Sequence, residues 1–298
     1  MNERIAISYA FFYKKAIIQK IALFCFIMKV ASIRGVLLME LGLQNKVAII
    51  TGSSKGIGYQ TALQLAQEGA QVVLVARGEK QLKVAANSIK DETGQSPLIV
   101  PADVSKEKEC KMIIEKTMAT FGQIDILVNN AGTSSAHQFE LVSSELWQSD
   151  LDLKLFGAVN CAKYATPYMR QNGGGSIVNI IAVLAKTPPA SSLPTTVSRA
   201  AGLALTKAMS KDLGKDNIRV NAVCIGLIRS DQIEKRWKAE APDVTWEEYS
   251  VNVGEQIPLS RIGDTIEASN VITFLASEAA SYVTGTAINV DGGSSAVL

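Results

Sequence analysis

The sequence predicts a single α/β domain built as a doubly wound parallel sheet with helices on both faces. Three observations carry that prediction. From Leu43 onward short apolar runs of strand type alternate with longer segments whose apolar residues recur at helical spacing. The first strand and first helix are joined by a glycine-rich turn, Thr51 to Gly58, reading T-G-S-S-K-G-I-G. At 298 residues the chain can bury one large core, and an α/β domain of about 250 residues needs no division into two.

The elements follow in order. Lys46 to Ile50 (K-V-A-I-I) is the first strand, and Tyr59 to Gln67, with Ala62, Leu63, Leu65 and Ala66, opens the first helix. Gln71 to Ala76 is a second strand, Lys80 to Thr93 a helix and Pro97 to Pro101 a third strand. A helix over Ser105 to Phe121 starts at a good capping residue. Ile124 to Val128 is a fourth strand, and Leu141 to Gln171 holds one or two long helices. Ser176 to Ile181, Ser198 to Leu213 and Ile218 to Val223 read as strand, helix and strand; Ala268 to Ser277 and Ala287 to Val290 are the last helix and strand.

The glycine turn has the context that phosphate binding requires, a strand before it and a helix after it. Gly52 permits the sharp exit from the strand, and Gly56 and Gly58 let the backbone approach a pyrophosphate. The first turn of the helix then aims free N–H groups at the anion. Composition excludes other classes. A net charge of +2 with no basic stripe argues against nucleic acid. The four cysteines, Cys25, Cys110, Cys161 and Cys224, are far apart and read as thiols of a reducing, cytoplasmic compartment. A single histidine, His137, argues against a histidine-ligated metal site.

Residues 1 to 40 differ in character. Lys14, Lys15, Lys20, Lys29 and Arg34 sit among apolar residues, and the run Ile21 to Met28 is too short to span a bilayer. The segment reads as a leader outside the fold, with a basic amphipathic anchor as the alternative.

With these landmarks in hand, residues 41 to 298 resemble the short-chain dehydrogenase/reductase family, whose fold is of the Rossmann type. The resemblance rests on the T-G-x-x-x-G-x-G turn, Asp103-Val104 after the third strand, Asn129-Asn130-Ala131-Gly132 after the fourth, Ile218 to Ala222, and Tyr282-Val283-Thr284-Gly285 followed by Asp291-Gly292-Gly293. It implies a dinucleotide held by Gly52, Ser54, Lys55, Gly56, Ile57, Gly58, Asp103, Val104, Asn130, Ala131 and Gly132, and a homodimer or homotetramer formed through the helices at 157–171 and 198–213. The second strand ends Val75-Ala76-Arg77, without the carboxylate that bonds a ribose 2′-hydroxyl. Arg77 offers a bidentate contact to a 2′-phosphate and Lys55 a second cation, so NADP(H) is the expected cofactor.

The family's catalytic quartet is an asparagine, a serine, and a tyrosine followed four residues later by lysine. Here those positions read Lys154, Ala182, Thr195 and Arg199. The following Ser198-Arg199-Ala200-Ala201 keeps the register, and Tyr164 and Tyr168 belong to the preceding helix. An alkyl hydroxyl does not replace a tunable phenol as an acid, and guanidinium keeps its proton. Arg199 retains the charge that would hold the nicotinamide ribose. Lys154, desolvated and near Arg199, is expected to have a lowered pKa and to serve as proton donor, or else to fill the asparagine niche as an ion pair. The chain is therefore expected to be an NADP(H)-dependent oxidoreductase with a non-standard donor, or a cofactor-binding relative without activity. His137 is a surface residue or borders the substrate. Trp237, Trp246 and Tyr249, between Ile228 and Arg261, signal an apolar substrate or packing of a lid. Ile225 stands where proline usually precedes Gly226.

Overall fold

The computed structural model describes residues 39–298; the leader expected over residues 1 to 40 lies outside them save for its last two residues. Residues 41–298 form one compact unit. Its spine is a seven-stranded, all-parallel sheet. The first half comprises β1 (Val47–Thr51), α1 (Gly56–Gln67), β2 (Gln71–Ala76), α2 (Glu79–Thr93), β3 (Leu98–Pro101), α3 (Glu107–Phe121) and β4 (Ile126–Asn129). A two-residue strand, β5 (Ala136–His137), follows. A continuous helical run then comprises α4 (Ser144–Leu151), a π-helical turn (Asp152–Phe156) and α5 (Gly157–Gln171). The second half adds β6 (Gly175–Ala182), β7 (Leu193–Pro194), α6 (Thr195–Leu213), β8 (Ile218–Ile225), α7 (Asp231–Glu240), α8 (Trp246–Gly254), α9 (Thr265–Ala276) and β9 (Ala287–Val290).

The strand order is β3-β2-β1-β4-β6-β8-β9, reversing direction of growth between β1 and β4. Ligands of open parallel sheets bind at that reversal, outside the carboxyl ends of the strands. Here those ends are the glycine turn after β1 and Asn130 to Gly132 after β4. The central strands are apolar along their whole length because both faces are covered. In β1, Ala48 and Ile50 pack with Leu65 of α1, Leu82 of α2 and Ile272 of α9. Val47 and Ile49 face the other way, into a core with Ile113 of α3 and Met169 of α5. The period-2 pleat thus splits one strand between two cores.

Several boundaries differ from the sequence reading for local reasons. The third helix begins at Glu107, not Ser105, because the Ser105 hydroxyl and N–H both donate to Asp103 Oδ1 (2.8 and 3.1 Å). The last helix starts three residues early, at Thr265, where Asp264 and Glu267 form a reciprocal capping box. α6 begins at Thr195, so the family's tyrosine position is the first residue of a helix. The span between Ile228 and Arg261 contains two short helices, α7 and α8. A small antiparallel ribbon pairs Ala136 with Pro194 and His137 with Leu193. Among the described residues no helix is long and apolar enough to cross a membrane, and Cys110, Cys161 and Cys224 are buried and unpaired.

Candidate active site and dinucleotide cleft

The glycine turn is braced from β4. Thr51 accepts the backbone N–H groups of Asn130 and Ala131 on its hydroxyl, both at 3.0 Å. The Asn130 amide donates to the carbonyls of Thr51 (2.9 Å) and Gly52 (3.2 Å). Asn130 therefore reaches the site as the clamp of the turn. The fit is close: a Cβ on Gly58 would lie 2.5 Å from both the Gly52 carbonyl oxygen and the Asn130 amide nitrogen. Only glycine allows α1 to start this near β1.

Beside the turn lies an open cleft of about 330 Å³, lined by Gly52, Ser54, Lys55, Arg77, Asp103 and Gly132 among others. Of the residues expected to hold a dinucleotide, Gly52, Ser54, Lys55, Arg77, Asp103, Val104, Ala131 and Gly132 line this cleft. Gly56 opens α1, Asn130 clamps the turn, Arg199 lies in the deeper pocket, Ile57 is buried in the core and Gly58 acts through packing. Arg77 is exposed at the rim, at the end of β2, and no carboxylate ends that strand. Asp103 is held below the usual carboxylate range; burial pushes it up, but the Ser105 hydrogen bonds and the charges of Arg77 and Lys106 outweigh that. Lys55 is less available than the sequence suggested, because its ammonium pairs with Asp231 at the start of α7. A glycine cradle, a cationic rim and a cleft at the strand reversal together fit a phosphorylated dinucleotide.

The catalytic positions meet deeper in the same groove. Lys154 sits in the π-helical turn, a distortion often found at functional sites. Its side chain is only 4% exposed, and its ammonium donates to Asp150 and, at 2.7 Å, to the Thr195 hydroxyl. The second oxygen of Asp150 accepts from the Ser198 hydroxyl at 2.5 Å. Arg199 donates to the Ile180 carbonyl at 3.3 Å, and among the described residues no carboxylate pairs with it. Burial, with the Arg199 charge, pushes the Lys154 pKa down against the opposing pull of Asp150. Arg199 is lowered as well, by burial. Ala182 ends β6 and offers no hydroxyl. A cavity of about 20 Å³, room for one water, touches Thr51, Lys154, Ser198 and Arg199.

The neighbouring tyrosines are no substitutes. Tyr164 donates to Glu107 on the outer helix layer at 2.8 Å, and Tyr168 packs in the core under that layer. His137 is exposed on the ribbon. The aromatics between Ile228 and Arg261 pack on one another: Trp237 and Trp246 meet edge to face at 5.6 Å, Trp246 lies 6.0 Å from Tyr249, and Arg229 stacks on Trp246 at 4.4 Å. Their packing alone explains them, and the apolar-substrate reading gains nothing from them. Ile225 pairs with Val290 at the end of β8, and a Cβ on Gly226 would meet Asp291 at 2.6 Å.

Asp150 is the site residue that the sequence reading missed. Its signal was the i,i+4 spacing to Lys154 on a helix, which puts carboxylate and ammonium on one face. Asp231 has the same spacing to Lys235, but nothing local to it pointed to Lys55.

Residues 52–295 match a family model described as enoyl-(acyl carrier protein) reductase. A 3-oxoacyl-(acyl-carrier-protein) reductase FabG of Staphylococcus epidermidis is 33% identical over 249 residues, covering 84% of this chain and 98% of that protein. The crystal structure of L-sorbose reductase from Gluconobacter frateurii, complexed with NADPH and L-sorbose, is similar at TM-score 0.84 and 38% identity, over 87% of this chain and all of that one. An NADPH-bound short chain oxidoreductase of Pseudomonas aeruginosa PAO1, described as containing an atypical catalytic center, is similar at TM-score 0.81 and 31% identity, over 86% and 100% of the two chains.

Proposed function

The chain belongs to the short-chain dehydrogenase/reductase family, and on that premise we propose that it is an NADP(H)-dependent oxidoreductase interconverting a carbonyl and an alcohol, with Lys154 supplying the proton through Thr195. The observation that carries the reading is the 2.7 Å hydrogen bond from the Lys154 ammonium to the Thr195 hydroxyl, at the position where the family keeps its tyrosine. When bound, the nicotinamide supplies or accepts the hydride at the substrate carbon. Arg77 and Lys55 would bind the 2′-phosphate, the backbone from Gly52 to Gly58 the pyrophosphate, and Arg199 the nicotinamide ribose. In the reducing direction Thr195 gives its hydroxyl proton to the carbonyl oxygen and takes one from Lys154, which is left neutral. A threonine hydroxyl alone is too weak an acid for that step, and the desolvated ammonium behind it is what makes the step feasible. The cavity touching Lys154 has room for one water, from which Lys154 would recover its proton. The relatives solved with NADPH support the cofactor choice, and the oxidoreductase described as containing an atypical catalytic center is a precedent for altered catalytic positions.

Two further parts complete the proposal. The protein assembles as a homodimer or homotetramer through α5 and α6, covering Phe156 and Val197, each 44% exposed. A reducing, cytoplasmic compartment is the setting that the buried, unpaired Cys110, Cys161 and Cys224 support.

The test is single-turnover oxidation of NADPH against a carbonyl panel, with cofactor binding followed by fluorescence. Lys154→Met is expected to bind NADPH within about twofold of the unmodified protein and to lose hundredfold or more in hydride transfer, within the range for general acid catalysis. Unchanged turnover in that variant would remove Lys154 as the donor. A second reading, a cofactor-binding relative without activity, is favoured by one feature: Asp150 and Thr195 already satisfy Lys154. NADPH binding without oxidation across the panel would select it.

A further inference from the structure

We propose that Asp150 is a positioning residue of this site, holding the Lys154 ammonium charged and aimed at Thr195. For its effect on turnover the inference rests on the reading of Lys154 as donor; the pairing can be tested without it. The geometry closes a ring. Lys154 donates to one oxygen of Asp150 and to the Thr195 hydroxyl, while Ser198 donates to the other oxygen of Asp150. Thr195 and Ser198 lie three residues apart on α6, and the Ser198 hydroxyl also reaches the Thr195 carbonyl at 3.1 Å. One helix thus presents a hydroxyl to each end of a buried ion pair, whose side chains are 4% and 3% exposed.

Charge balance says what the carboxylate does. Two groups act electrostatically on Lys154, Asp150 from α4 and Arg199 from α6. The thiol of Cys224, on β8, is the other titratable group beside Arg199. Burial and the guanidinium both disfavour a charged Lys154, and Asp150 alone favours it. Without the carboxylate, two cations would share a desolvated pocket and Lys154 would lose its proton. A neutral lysine can still accept a hydrogen bond from Thr195, but it has no proton to pass on. The ion pair therefore sets both the direction of the Lys154–Thr195 hydrogen bond and the pH range in which it points toward substrate.

An ion pair that serves packing alone would show the same contacts, so the test reads protonation. The full-length protein is labelled with [ε-13C]lysine, and the Lys154 resonance is identified by its absence in Lys154→Met. In Asp150→Asn its titration midpoint is expected to move down by about one pH unit, a tenfold loss of proton affinity. Asp150→Glu should restore most of it. Ser198→Ala, a milder change that leaves the pair in place, should give a smaller downward move and guards against an Asp150 variant that does not fold. Where reduction is measurable, its loss with rising pH should move by the same interval. A Lys154 midpoint that stays put in Asp150→Asn and Ser198→Ala would overturn the proposal. A midpoint that moves while the pH profile of turnover does not would uphold the pairing and reject Lys154 as donor.

Discussion

Lys55, in the glycine turn, forms an ion pair with Asp231, the first residue of α7. The contact ties the glycine turn to the segment that, in the family, covers the substrate. Asp231 also holds Lys235 at 3.1 Å, so it would keep a cationic partner if Lys55 bound a 2′-phosphate as proposed. Both Lys55 and Asp231 are solvent-accessible, at 56% and 34%, which keeps the pair weak enough to exchange. Asp231→Asn frees Lys55 and removes a negative charge near the phosphate. NADPH affinity should rise roughly two- to fivefold, in line with the worth of an exposed pair, and NADH affinity should not change. Fluorescence titration with both cofactors, at low and high salt, checks this; an equal gain for NADH would show that Asp231 acts on the turn and not on the phosphate.

On the proposed NADP(H) reading Arg77 is the stronger determinant of cofactor choice, because it directly follows β2, where an NAD-binding fold keeps its carboxylate. Hydrogen bonds to a charged group are worth about 1.5–3 kcal/mol, so Arg77→Ala should weaken NADPH binding roughly 10- to 150-fold and leave NADH within about twofold. Arg77→Lys should recover part of the loss, since a point charge cannot match the bidentate fork. Equal loss for both cofactors would mean that Arg77 supports the cleft wall instead of reading the phosphate.

What the sequence showed and what it hid divide along a physical line. The glycine turn and the cation after β2 were legible in place because their pattern is local: three glycines, or one cation where a carboxylate would stand, fall within a few residues of chain. Residues at the family's catalytic positions were legible as identities but not as a network. The Lys154–Thr195 bond joins residues 41 apart in sequence and exists only because α6 begins at Thr195. Lys55 meeting Asp231 depends on where α7 settles, which no local pattern encodes. The helix misplaced at Ser105 failed for the opposite reason: Asp103 captured the hydroxyl that would have capped it.

Glu267 gives the fold a measurable acid response. Arg261 bonds its carboxylate in a bidentate fork, at 2.8 and 2.6 Å, and the Asp264 N–H adds a third bond at 2.7 Å. Those contacts, Arg261 first, lower its pKa from 4.5 to about 2. A depressed carboxylate stabilises the fold fully above its unfolded value and loses that contribution as pH falls through the folded one. The pair is partly exposed, so its worth is about 1 kcal/mol, well below what the bare shift suggests. Glu267→Gln should therefore cost about 1 kcal/mol at pH 7, with the gap closing between pH 4.5 and 2. Urea unfolding across that range reads it, and a pH-independent gap would assign the loss to the helix cap alone.

The buried pair makes the sharpest separation between holding the fold and doing chemistry. Removing one partner of a buried ion pair typically costs 3–5 kcal/mol because the other charge is left uncompensated, whereas replacing both with apolar residues is often neutral or better. Lys154→Met and Asp150→Leu should each destabilise by about that amount. The double variant should return close to the unmodified stability, so that the coupling in the cycle comes to roughly 6 kcal/mol or more. Its glycine turn and Arg77 are untouched, so NADPH binding should persist while hydride transfer to any substrate turned over by the unmodified protein is lost. A double variant that folds, binds NADPH and still reduces substrate would leave the Asp150–Lys154 pair with a structural role only. Additive losses without coupling would show that the two charges do not depend on each other in the folded protein.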